Sequence, residues 1–82
     1  MGVKTANKYD LEEIMAAIDA IDECGEVLRA KGILEGNDGS WYEFDYVPGE
    51  GEVRATSAEA SGMLVVIGTR INKEKIAELF KL

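Results

Sequence analysis

The chain of 82 residues has no histidine, one cysteine and one proline, and aromatic residues make up only 7% of it. Without histidine it lacks the commonest general base, the Ser-His and Cys-His nucleophile pairings and the usual switch near neutral pH. A lone Cys24 excludes an intramolecular disulfide, and a zinc site built from this chain alone would need other soft ligands. No apolar run approaches the roughly 18 residues of a membrane span. Nor does an apolar stretch follow Lys4 and Lys8 as a secretory signal requires. Met1-Gly2 begins like a myristoylation signal, but Ala6 stands where that signal wants Ser or Thr. The expected location is the cytoplasm, with no membrane partner.

Positive charge is scarce as well. Nine Lys and Arg against sixteen Asp and Glu leave a formal net charge of −7. Phosphate backbones are bound by clustered cations that displace counterions, so a nucleic-acid partner is not expected. From Tyr9 to Leu28 no basic residue occurs, whereas Asp10, Glu12, Glu13, Asp19, Asp22, Glu23 and Glu26 are all acidic. That stretch reads first as a solvated helix face. Its alternative use is metal delivery or small-ligand binding through Asp19, Asp22, Glu23 and Glu26, although the EF-hand spacing and its ordering glycine are missing.

What is present suits one small globular domain, residues 1–82, whose core is thin for its length. Gly2 to Lys8 reads as a short edge strand. Asp10 followed by Glu13 is a capping box, and Leu11, Ile14, Met15, Ile18 and Ile21 form the apolar stripe of a helix that Gly25 ends in a left-handed conformation. Glu26 to Glu35 alternates with period two, as does Trp41 to Val47, and Gly36-Asn37-Asp38-Gly39-Ser40 reverses the chain between them. Pro48-Gly49-Glu50-Gly51 forms a second turn, and Glu52 to Ser57 a weaker strand. Met63 to Ile67 is unbroken apolar, as in a strand covered on both faces or on one and flanked by neighbours. Asn72 caps a closing helix with Ile76, Leu79 and Phe80 inward. The predicted class is α+β in the order (β)-α-β-β-β-β-α: a two-layer sandwich with one mostly antiparallel sheet of four to five strands and both helices on one face.

If Tyr42, Phe44 and Tyr46 face the helices, Glu43 and Asp45 point outward, with Glu52 and Arg54 on the next strand. Arg29 and Lys31 would then meet Glu43 and Asp45 across the first hairpin. Together with Trp41, a residue type favoured at interface hot spots, these define a candidate partner surface: Arg29, Lys31, Trp41, Glu43, Asp45 and Arg54. Gly32 and Gly68 sit in strands where a missing side chain relieves crowding or marks a bulge. Cys24 has no basic neighbour in sequence to lower its pKa and reads as a structural thiol. No catalytic, cofactor-binding or metal-ligating residues are assigned, and homodimerisation through a sheet edge is a further expectation.

Leu28-Arg29-Ala30-Lys31-Gly32, the tryptophan-bearing hairpin, and Leu64-Val65-Val66-Ile67-Gly68 leading to Ile71 and the last helix resemble the C-terminal domain of CobW-type GTPases. The resemblance runs from about Leu11 to Phe80, and Phe44-Asp45-Tyr46-Val47-Pro48-Gly49 is similar to a short-loop branch of that family. It implies a module that follows a P-loop GTPase domain in proteins linked to metal trafficking, including cobalt for cobalamin and zinc. It also implies a GTPase domain in cis or in trans as partner, and a metalloenzyme or corrinoid-pathway client. The phosphate-cradling Gly-x-x-x-x-Gly-Lys-Ser/Thr loop and the Cys-x-Cys-Cys metal motif do not occur in this chain. The resemblance therefore implies an accessory, non-catalytic role.

Overall fold

The computed structural model describes residues 1–82. Its first helix, α1, spans Leu11–Ala20, ten residues and too few to hold a helix in water without tertiary support. Glu13 reaches back to accept the Asp10 N–H at 3.0 Å, which satisfies one orphan donor at the helix start. Tertiary burial of Ile14, Ala17 and Ile18 supplies the rest, with each buried isoleucine contributing about 1.5–3 kcal/mol. Leu11 and Met15, expected in the stripe, remain 41% and 50% exposed. Both lie in an open groove beside Gly51 and Val53 instead of in the core.

A 3₁₀ turn, Ile21–Cys24, continues the helix and buries Ile21 and Cys24. Gly25 follows at φ 122° and ψ −161°. Its φ is positive, but the conformation is not the left-handed helical cap expected from the sequence. Space explains the residue equally well, because a Cβ there would lie 2.3 Å from the Arg70 carbonyl oxygen.

The strands are β1 Gly2–Thr5, β2 Lys8–Tyr9, β3 Glu26–Gly36, β4 Trp41–Val47, β5 Glu50–Thr56 and β6 Gly62–Thr69. The sheet runs β1-β6-β3-β4-β5, and the two-residue β2 lies parallel to the end of β3. All other pairings are antiparallel. The second hairpin turn is tighter than the sequence suggests: Pro48 and Gly49 suffice, Gly49 taking φ 82°, and β5 starts at Glu50. The closing helix, α2, spans Lys73–Leu79, and the Asn72 side chain accepts the Lys75 N–H at 3.1 Å.

The core lies between the helices and one face of the sheet. Ala30, Leu34, Phe44, Tyr46, Leu64 and Val66 from the strands meet Ile14, Ile18, Ile76 and Phe80 from the helical layer. The rings of Phe44 and Phe80 stack with centroids 5.8 Å apart. Gly32 allows this packing, since a Cβ there would lie 2.6 Å from the Phe44 ring. At Gly68 a Cβ would approach the Glu26 carbonyl oxygen to 2.1 Å. The register of β3 against β6 shifts beside that pair, between Val27 and Arg29. Strict alternation would place Leu28 with Ala30 and Leu34 in the core. The bulge instead buries Val27 and leaves Leu28 59% exposed. Tyr9, which the sequence pattern did not single out, is 2% exposed, and its hydroxyl donates to the Phe80 carbonyl.

Candidate interaction face

The second face of the sheet carries no helix. Antiparallel register places on it Arg29, Lys31 and Ile33 of β3, Trp41, Glu43 and Asp45 of β4, Glu52 and Arg54 of β5, and Met63, Val65 and Ile67 of β6. The six residues singled out from the sequence therefore share one surface.

Of the expected cross-hairpin pairs only Arg29 with Asp45 forms, and the closer contacts run to Arg54 on β5. Arg54 is the hub: its Nε lies 2.7 Å from Glu43 Oε1, its Nη2 2.8 Å from Asp45 Oδ2, and its Nη1 3.4 Å from Glu52 Oε2. Arg29 reaches Asp45 only at 3.4 Å. Lys31 stands opposite Asp45 in register but forms no ion pair. The cause is geometric. Glu43 faces Arg54 directly across β4 and β5 but faces Ile33 across β3 and β4. A guanidinium fork can also bridge two carboxylates on one strand, which a lysine point charge cannot do as well.

The hydrogen bond from Arg54 holds the Asp45 carboxyl below its usual range, outweighing the opposing effect of burial, and Arg29 adds a lesser contribution in the same direction. The Asp45 and Glu43 bonds in turn raise the Arg54 pKa. The cluster is solvent-exposed, so its contribution to stability is small. Its negative members are already satisfied, whereas Lys31 and the outer side of Arg29 remain available to a partner.

Sequence reasoning missed the apolar part of this face. Leu28, Met63 and Ile67 are 59%, 44% and 54% exposed, with Ile33 and Val65 half-buried between them. The signal lay in the Met63–Ile67 run, apolar at successive positions and hence apolar on both faces of β6. The sequence allowed cover on both sides, but the structure provides it on one. An open depression lined in part by Lys31, Met63 and Val65 lies at the centre of the face. Trp41 is half-buried at the start of β4, opposite Glu35 on one side and Thr56 on the other.

The acidic helix is arranged differently. Asp19, Asp22, Glu23 and Glu26 are all exposed, and no three Asp, Glu, Cys or His side chains converge as ligands for one ion. Glu26 instead accepts from Thr69 and Arg70. Cys24 is fully buried, and desolvation raises its thiol pKa, only partly opposed by Lys75. No helix is long and apolar enough to cross a membrane.

One sheet covered by helices on a single face, with a mixed apolar and charged face left bare, defines the class as an α+β sandwich domain. The family model for the cobalamin synthesis protein cobW C-terminal domain matches residues 1–82, and the chain belongs to that family. Among solved structures, the zinc-bound YjiA GTPase from E. coli has 21% sequence identity and a TM-score of 0.77 over 99% of this chain. A zinc-bound triple mutant of the YjiA GTPase has 19% identity and a TM-score of 0.79, also over 99% of the chain. At that identity the likeness is one of fold. This chain corresponds to 28% of the length of each of those structures. No curated protein matches it by sequence.

Proposed function

We propose that this chain is a non-catalytic interaction domain of a CobW-type GTPase system, with its open sheet face seated against a GTPase domain supplied in cis or in trans. The observation that carries this reading is the exposed strip of Leu28, Met63 and Ile67 beside the unpaired Lys31. Large apolar side chains gathered on one uncovered face mark an interaction surface, while cations at the margin set orientation and on-rate. Family membership names the partner class, and in the two similar GTPase structures more than two thirds of the chain lies beyond the matched region. In this reading the wider role is metal trafficking or cobalamin synthesis, in keeping with the family's description and with the zinc bound to the YjiA structures.

Calorimetric titration with the GTPase domain encoded alongside this chain tests the reading. Arg29→Glu with Lys31→Glu should slow association and weaken binding about ten-fold, in line with one to two kcal/mol for partly desolvated charges at an interface. Met63→Ser with Ile67→Ser should weaken it at least as much through lost apolar contact. If both double variants bind as the parent does, the open face is not the docking surface.

A further inference from the structure

We infer that the outer edge of β5 is a self-complementary surface that pairs two copies of this chain antiparallel about Val53. This edge lies two strands from the apolar strip on β6 and β3, and its pairing does not depend on the proposed GTPase partner. Strand β5 is the last in the sheet and pairs only with β4. Its seven residues contain no proline and no bulge, so two of the usual devices that blunt an edge are missing.

Register decides which backbone groups are free. Val47 and Glu50 flank a two-residue turn, and in such a hairpin the flanking pair is hydrogen-bonded, with bonded and non-bonded pairs alternating from there. Glu50, Glu52 and Arg54 therefore direct their amides toward β4. Gly51, Val53 and Ala55 direct theirs outward.

An antiparallel copy centred on Val53 places Val53 opposite Val53 and Gly51 opposite Ala55, joining the outward amides in the bonded pattern. The same operation sets Glu52 of each copy opposite Arg54 of the other. Centring on Glu52 or Arg54 would oppose like charges and would use inward-facing amides. Centring on Gly51 would set Glu50 against Glu52. Centring on Ala55 would use outward amides but set Arg54 against Thr56, so the Val53 register is the one that also pairs Glu52 with Arg54.

The helix side agrees. Leu11 and Met15 of α1, 41% and 50% exposed, line a groove of about 170 Å³ with Ile18, Gly51 and the half-buried Val53, and Asp19 is its one charged member. A two-fold axis through Val53 sets this groove against its own copy. The dimer would join the two sheets into one and shelter the two side chains that the amphipathic stripe places inward but the isolated fold leaves outside.

Sedimentation of the 82-residue chain over a range of concentrations should show a monomer–dimer equilibrium. Glu52→Arg puts like charges at two symmetric positions and should weaken the dimer about ten-fold. Val53→Pro removes an outward amide without breaking a β4–β5 hydrogen bond and should abolish dimerisation, with Val53→Ala as the control for the lost side-chain packing. Under mild oxidation Val53→Cys should cross-link, since bonded antiparallel partners hold Cα atoms about 5.5 Å apart, within disulfide reach. Thr56→Cys, off the axis, should not. A chain that stays monomeric at every concentration overturns the inference, as does a dimer indifferent to Val53→Pro and Glu52→Arg or equal cross-linking at both cysteine positions.

Discussion

The Tyr9 hydroxyl donates a hydrogen bond to the Phe80 carbonyl, tying the two-residue strand before α1 to the last turn of the chain. Both residues are essentially inaccessible, at 2% and 0% exposure, so neither partner can turn to water instead. Tyr9→Phe keeps the ring and strands the carbonyl. The expected loss is about 1–3 kcal/mol, the desolvation cost of an unsatisfied buried acceptor. Urea unfolding should show it as a lower midpoint with an unchanged slope.

Phe80 also stacks on Phe44. Phe80→Ala removes a large side chain from the meeting point of sheet and helices, and about 3–5 kcal/mol should go with it. A chain of this size has little stability to spare, so the variant should be largely unfolded by circular dichroism at room temperature.

Glycine substitutions should separate crowding from conformation. Gly25→Ala introduces a Cβ 2.3 Å from the Arg70 carbonyl at φ 122°, so both backbone and neighbour must move. Gly39→Ala meets nothing within 4 Å at φ 85° and should lose only about 1–2 kcal/mol, the intrinsic cost of a left-handed residue. A clear ranking of thermal midpoints, Gly39→Ala well above Gly25→Ala, is the expected result.

Acid should unfold the chain in part through three carboxylates. Glu13 is held low by the Asp10 amide and then by Lys81, Asp38 by the Ser40 amide, and Asp45 by Arg54. A depressed folded-state pKa gives stability that is complete above the ordinary carboxylate range and is lost as pH falls through the folded value. Glu13→Gln and Asp45→Asn should therefore lower stability at neutral pH and flatten its decline in acid. Denaturant midpoints across pH measure this directly.

Cys24 carries the opposite shift. Burial raises its thiol pKa, so its contribution to stability holds below the ordinary thiol pKa and declines as pH rises from there through the folded value. Alkylation by iodoacetamide should be slow in the native protein and fast in urea, because the thiolate is the reactive form and the sulfur is covered. Equal rates in both states would contradict the buried placement.

Much of the architecture is written in local chemistry. The Asp10–Glu13 cap, the Asn72 cap, the period-two runs of β3 and β4 and the first hairpin turn depend on neighbours a few residues apart, and they form where the chain dictates, while the second turn forms at Pro48-Gly49 but two residues shorter than expected. Two elements left almost no local trace. Tyr9 belongs to a strand of two residues, too short for any period, and Leu28 occupies a bulge that appears only when β3 lies beside β6.

The candidate face was legible in kind but not in wiring. Alternation along β4 put Glu43 and Asp45 outward, but which cation they bind depends on register with two different strands, and Arg54 prevails over Lys31 through that register. The apolar residues of the face were visible as a run without any indication of which side stays bare.

From the chain alone follow the helix and strand content, the absence of histidine chemistry and the acidic surface, since these rest on composition and short-range periodicity. Strand neighbours, the exposure of Leu28, Met63 and Ile67, and the free edge of β5 were settled only when distant segments paired. Backbone hydrogen bonds between strands carry no record in the identity of either residue alone.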